Sequence, residues 1–133
     1  MELLYDETYT SSDGLQKSRN IWYGSADIIA DGEHGPVIKL NDNLRDAMCK
    51  TIKNDLSRNV GDCPTETNWY FYGRGITKEA VGSNILPAIM VRKKAGEFIV
   101  NFSLTDYDFA MSIDKVISFK NDFTHCLSAQ KAE

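Results

Sequence analysis

Histidine, cysteine and long apolar runs are scarce in this chain of 133 residues. It has two histidines and three cysteines, and the positions of Cys49, Cys63 and Cys126 match no zinc-binding or redox motif. The longest apolar run, residues 85–91, is interrupted by Pro87, whereas about 20 apolar residues are needed to cross a bilayer. We therefore expect no metal, no cofactor and no membrane-spanning segment.

Basic residues are also in the minority. Fifteen Lys and Arg stand against 19 Asp and Glu, which gives a formal charge of −4. A general nucleic-acid binder carries a basic surface, so we expect no direct contact with nucleic acid. The N-terminal sequence has no basic region followed by an apolar run, and an odd cysteine count without a motif favours inert thiols in the reducing cytoplasm. The expected location is cytoplasmic.

Acidic residues concentrate near the start of the chain. Residues 1–35 hold seven acids and two bases, a formal charge of −5, and the remainder is +1. A local acidic surface attracts basic partners and speeds encounter with them, although an acidic face that only aids solubility is the alternative. The acids that we select as partner-binding candidates are Asp6, Glu7, Asp13, Asp27, Asp31 and Glu33.

Two stretches have the spacing of amphipathic helices. Leu44, Ala47, Met48, Ile52 and Leu56 form one apolar stripe over residues 43–58, with Asp42 or Asn43 as the capping residue. Residues 113–128 repeat the helical spacing, but Val116-Ile117-Ser118-Phe119 would equally suit a strand.

Strand patterns outnumber the helical ones. Residues rich in β-branched and aromatic side chains, or alternating in polarity, occupy 21–30, 37–40, 67–72, 85–92 and 97–105, and the last two flank a turn at 93–96. Strands and helices do not alternate strictly, so we predict an α+β fold: a single domain with an antiparallel sheet of about four to five strands and two helices packed on one face. The predicted divisions are a polar acidic arm or irregular segment at 1–20, the α+β domain at 21–128 and a frayed tail at 129–133.

The candidate catalytic residues are not accompanied by the further groups that a complete active site requires. His34 and His125 could serve as general base and acid of a metal-independent hydrolase or nuclease, but nothing in their spacing brings them together. Asp106 and Asp108 flank Tyr107 and could hold a divalent ion, although two carboxylates alone make a weak site. We therefore expect that the protein is not an enzyme.

The aromatic stretch at 67–72 offers a different kind of site. If its alternate side chains are exposed, Tyr70 and Tyr72, followed by Arg74, become interface anchors, because tyrosine and arginine are favoured in binding hot spots. The alternative is a strand buried on both faces.

Together these features favour a small acidic protein-binding module. Its most concrete form is a stoichiometric inhibitor or immunity-type protein that neutralises a basic toxin or nuclease, with acids in place of the phosphates that the toxin binds. The alternatives are a small hydrolase or nuclease using His34 or His125, and an accessory subunit of a larger assembly.

Overall fold

The computed structural model describes residues 2–32, 35–58, 66–73, 79, 87–102, 108–109 and 113–128, with side chains at 7–24, 37–57, 66–73, 79, 87–102 and 114–128. These ranges contain nine helices and strands in the order β1 (Glu2–Thr10), β2 (Gln16–Gly32), β3 (Gly35–Lys39), α1 (Asp42–Arg58), β4 (Glu66–Gly73), β5 (Ile89–Lys94), β6 (Glu97–Phe102), β7 (Asp108–Phe109) and α2 (Ile113–Ser128). The predicted tail at 129–133 lies outside the described residues.

Five strands form the main sheet in the order β1-β2-β4-β5-β6. All neighbouring pairs are antiparallel except β2 and β4, which run parallel. A parallel pair requires a long crossover, and β3 with α1 provides it. The last part of β2 leaves this sheet to pair with β3, and β3 pairs in parallel with β7. The predicted α+β fold is thus confirmed, with a mixed sheet that is mostly antiparallel.

The beginning of the chain differs from the expected arm or irregular segment at 1–20. β1 pairs antiparallel with β2 from Glu2 opposite Tyr23 to Thr10 opposite Gln16, so these residues form most of a hairpin. Ser11 closes its turn, because the Ser11 N–H donates to the Leu15 carbonyl at 2.9 Å. Residues 6–20 show no apolar alternation, so the backbone pairing of β1 with β2 was not predicted.

Both predicted helices are present. The Leu44 N–H donates to Asn41 Oδ1 at 2.9 Å, so the residue that caps α1 is Asn41 rather than Asp42 or Asn43. The ambiguous residues 116–119 are helical, because Val116 and Phe119 bury the same stripe of α2 as Phe123. None of the described helices is long and apolar enough to cross a membrane.

The helices lie on one face of the main sheet and are covalently joined. The core cluster combines side chains of α1 and α2 with Trp69 and Phe71 of β4 and with apolar residues of β5 and β6. A disulfide connects Cys49 of α1 to Cys126 of α2, with 6.4 Å between their Cα atoms. The expectation of inert thiols is wrong for this pair. The bond could not be predicted from the sequence, because the two cysteines are 77 residues apart and the cysteine count is odd.

A buried carboxylate also ties α1 to the sheet. Asp55 is 1% exposed, and its Oδ2 accepts from the Asn20 side-chain amide and from the Trp69 indole N–H, each at 2.9 Å. These two hydrogen bonds join β2 and β4 beneath α1 and so help to hold the strands in register. Breaking either bond costs free energy, because it leaves a buried polar group without its partner.

Candidate functional site

The second face of the main sheet, turned away from the helices, collects tyrosines and charged groups. Alternation along the strands and the register between them put these side chains on one face, which we call the tyrosine face. Its described residues are Glu7 and Tyr9 of β1, Lys17, Arg19, Ile21 and Tyr23 of β2, Glu66, Asn68, Tyr70 and Tyr72 of β4, Met90, Arg92 and Lys94 of β5, and Glu97, Ile99 and Asn101 of β6.

Arg19 lies between two tyrosines near the middle of this face. Its Cζ atom is 5.9 Å from the ring centroid of Tyr9 and 5.8 Å from that of Tyr70, distances at which a cation is attracted to an aromatic ring. Glu7 is directly opposite Arg19 in the β1–β2 register. Arg19 is exposed and both tyrosines are half-buried, so the group, which we call the Arg19 cluster, is accessible from solvent.

The protonation states of the Arg19 cluster follow from its packing. Burial alone lowers the pKa of Arg19, but Tyr70, Tyr9 and Glu7 raise that pKa above its usual value. Burial raises the pKa of Tyr70, although Arg19 opposes the effect. At neutral pH the cluster therefore presents the positive charge of Arg19 beside the neutral phenol of Tyr70.

A second charged group lies where β2, β4 and β5 meet. Glu66 Oε1 is 2.6 Å from Arg92 Nε, and Glu66 Oε2 is 3.3 Å from Lys17 Nζ. Arg92 first, and Lys17 with it, hold the pKa of the Glu66 carboxyl below its usual value, although burial opposes them. The Glu66 carboxylate is buried, and Arg92 and Lys17 neutralise its negative charge. We therefore infer that Glu66 stabilises the sheet.

Tyr72 and Tyr23 form a stacked pair at the other end of the tyrosine face. Their ring centroids are 5.5 Å apart with 19° between the planes, and the two residues are only 5% and 8% exposed. Tyr72 therefore offers little area to a partner in this structure. Of the two predicted anchors on β4, only Tyr70 has a substantially accessible ring, and the third predicted anchor, Arg74, lies outside the described residues.

Asp13 is the best defined of the predicted acidic residues. It is exposed in the turn between β1 and β2, where its carboxylate accepts from the Ser11 hydroxyl and from the Leu15 N–H. These two hydrogen bonds lower the pKa of Asp13, so the hairpin tip carries a negative charge at neutral pH. The tip is presented at one end of the main sheet.

The remaining acids are distributed along β1 and β2. Glu7 is half-buried beside Arg19, while Asp6, Asp27 and Asp31 are placed by their backbone alone and Glu33 lies outside the described residues. A strand advances about 3.3 Å per residue, so the path along β2 from Gln16 to Asp27 is about 36 Å. The described acids thus follow a long ribbon and do not gather into one compact patch.

The candidate catalytic residues are not brought together in the described part of the chain. His125 is exposed in the last turn of α2, and His34 and Asp106 lie outside the described residues. Asp108 belongs to β7, where only its backbone is described. Among the described side chains, no group of three His, Cys, Asp or Glu residues is arranged to hold a metal ion.

The sequence alone does not single out Arg19 and Tyr9 of the Arg19 cluster. Arg19 lies in a segment dominated by acidic residues, and Tyr9 lies in the stretch that was expected to be an irregular arm. The period-two spacing of Glu7 and Tyr9 was the available signal, since it places both side chains on one face of a strand.

Comparison of the chain with protein-family models, curated proteins and solved structures finds no match.

Proposed function

We propose that this protein is a stoichiometric protein-binding module, and that its tyrosine face meets the partner. The observation that carries this proposal is the exposed guanidinium of Arg19 between the rings of Tyr9 and Tyr70. Tyrosine and arginine dominate the binding energy of many protein interfaces, because they combine large apolar area with directional polar contacts. A cluster preformed by a sheet also loses little conformational entropy when it binds.

In its concrete form, the proposal is an inhibitor or immunity-type protein that neutralises a basic toxin or nuclease. The formal charge of −4 and the ionised Asp13 at the hairpin tip support a basic partner. Asp13 and the acids along β1 and β2 accelerate encounter by long-range attraction. The Arg19 cluster then supplies the short-range contacts.

The proposed location is cytoplasmic, as expected from the sequence, but the disulfide between Cys49 and Cys126 argues against a reducing compartment and so makes the location testable. A reducing cytoplasm keeps such cysteines as thiols, whereas an oxidising compartment preserves the bond. Alkylation of freshly lysed native cells, followed by mass spectrometry of the two cysteine-containing peptides, distinguishes the cases. Cytoplasmic residence predicts alkylated Cys49 and Cys126, and complete protection of both would contradict it.

Affinity capture from the native cell lysate tests the proposal. We expect one basic protein to co-elute at a one-to-one ratio, with slower association at high salt because screening weakens the attraction between opposite charges. Changing Asp27, Asp31 and Glu33 together to lysine should slow association at low salt and have little effect at high salt. Elution of the protein alone at both salt concentrations would contradict stoichiometric binding.

Capture, an activity assay and sedimentation together separate the two alternatives. A binder predicts that His125→Ala leaves capture unchanged, whereas a hydrolase or nuclease using His125 predicts loss of a measurable activity without loss of the fold. An accessory subunit predicts that the isolated chain self-associates, which sedimentation of the purified protein detects. The described exposed apolar side chains, Leu15, Ile99 and Ile117, lie on different elements, which favours a partner-specific contact over one broad apolar interface.

A further inference from the structure

The disulfide between α1 and α2 borders a pocket that is open to solvent, on the side of the sheet away from the tyrosine face. The pocket has a volume of about 350 Å³, and its described lining residues are Asp46, Cys49, Lys50, Lys53, Asn54 and Cys126. Cys49 is 2% exposed, whereas Cys126 is half-buried. A small dissolved molecule therefore reaches this bond without entering the hydrophobic core.

The chemistry of the bond determines which molecules react in this pocket. A disulfide sulfur is attacked by a thiolate, and the first product is a mixed disulfide. Lys50 and Lys53 line the pocket, and nearby positive charge stabilises a thiolate, whether that thiolate attacks or leaves. Asp46 also lines the pocket, but its Oδ1 atom is 3.4 Å from Arg45 Nε, so part of its negative charge is compensated. The pocket therefore suits thiol–disulfide exchange.

α1 and α2 are also held together by contacts that do not require the bond. Met48 of α1 and Phe123 of α2 are fully buried in one hydrophobic core, and Arg45 Nη1 of α1 is 3.2 Å from Asp122 Oδ2 of α2. The Cα atoms of the two cysteines are 6.4 Å apart, and these contacts keep them near one another after the bond opens. The two thiols therefore stay placed to form the bond again, because a pair that the fold holds together reacts as one molecule.

We propose that the Cys49–Cys126 bond is a site of reversible exchange with small thiols in the folded protein. A thiolate attacks Sγ of Cys126, the more accessible cysteine, forms a mixed disulfide with it and releases Cys49 as a thiolate. A second thiolate attacks the sulfur that the first one brought, leaves as the small-molecule disulfide and releases Cys126. The two cysteine thiolates take up the protons that the two thiols lost. Two thiols are thus oxidised to one disulfide, and the protein disulfide is reduced to two thiols.

Reduction of the folded protein at increasing thiol concentration tests the proposal directly. The full-length protein is treated with mercaptoethanesulfonate without denaturant and quenched in acid, and its cysteine-containing peptides are measured by mass spectrometry. We expect a rate that rises in proportion to the thiol concentration, does not change with urea below the unfolding transition, and gives a mixed disulfide at Cys126. Cys63→Ser should react at the same rate, because the exchange involves only the other two cysteines.

A reaction that depends on unfolding gives a different result. Its rate levels off at high thiol concentration, where opening of the fold becomes limiting, and it rises steeply with urea. That outcome would overturn exchange in the folded protein, and a mixed disulfide at Cys49 would overturn the choice of Cys126 as the attacked residue. Adding the disulfide form of the reagent to the reduced protein tests reversibility, and failure of the Cys49–Cys126 bond to return would contradict it.

Two double variants test the contribution of the charge at the pocket. Lys50→Gln with Lys53→Gln should slow reduction by the anionic reagent about two- to fivefold at low salt, as expected for the loss of two charge contacts at the surface. Lys94→Gln with Lys120→Gln removes two exposed lysines that do not line this pocket, and should alter the rate less than about twofold. Equal rates for the two double variants would contradict an approach of the thiolate through this pocket.

Discussion

At the scale of single residues, Asp55 is the side chain whose loss should be most costly. Its Oδ2 accepts from Asn20 and Trp69 in a buried environment, so Asp55→Ala leaves two buried donors without that acceptor. We expect the free energy of unfolding to fall by about 2–4 kcal/mol, measured by urea denaturation. Asn54→Ala, at the exposed neighbouring position, should change it by less than about 0.5 kcal/mol, and equal effects of both variants would contradict the role given to Asp55.

Glu66 should make stability depend on pH. Its pKa in the folded protein lies below the usual value of 4.5 because of Arg92 and Lys17. A carboxyl with a lowered folded pKa stabilises the protein fully above its unfolded pKa, and this contribution is lost as the pH falls below 4.5 toward the folded pKa.

Glu66→Gln removes that contribution, so we expect a shallower loss of stability in acid, measured as the free energy of unfolding in urea at several pH values. Glu97→Gln, at an exposed position of β6, serves as the control. If Glu66→Gln and the unchanged protein lose stability in parallel below pH 4.5, Glu66 does not act in this way.

At the scale of elements, the turn between β5 and β6 holds a residue in an unfavourable conformation. Ala95 and Gly96 have φ values of 54° and 81°, and only glycine, asparagine and aspartate adopt such values readily. Ala95→Asn should therefore raise the free energy of unfolding by about 0.5–1 kcal/mol. Ala95→Val should lower it, because a β-branched residue is strained there. Thermal unfolding of both variants checks the turn, and a change in the same direction for both would contradict this conformation.

The disulfide between α1 and α2 should stabilise the packing of the two helices on the sheet. Replacing Cys49 and Cys126 by alanine should reduce the free energy of unfolding by about 2–4 kcal/mol, because the bond closes a long loop and restricts the unfolded chain. Reduction of the unchanged protein serves as the second comparison, since it opens the bond without altering the core volume. Equal stability of the oxidised and reduced protein would show that the bond contributes nothing.

At the scale of the whole molecule, the sequence predicted the elements whose patterns reflect burial. The stripe from Leu44 to Leu56 predicted α1, and alternation around Val100 predicted the β5–β6 hairpin. The pairing of β1 with β2 could not be predicted, because it depends on backbone bonds along a polar segment. The Cys49–Cys126 bond and the Arg19 cluster could not be predicted for a related reason: each joins residues that only the tertiary fold brings together.

The central claim is that the tyrosine face, through the Arg19 cluster, meets a protein partner. The most direct measurement is quantitative capture from native lysate by Arg19→Glu compared with Lys50→Glu, since both variants make the same charge change at an exposed site, on opposite sides of the molecule. We predict that Arg19→Glu loses the co-eluting partner while Lys50→Glu retains it at a one-to-one ratio. Retention by both variants, or equal loss from both, would contradict the assignment of the interface to the tyrosine face.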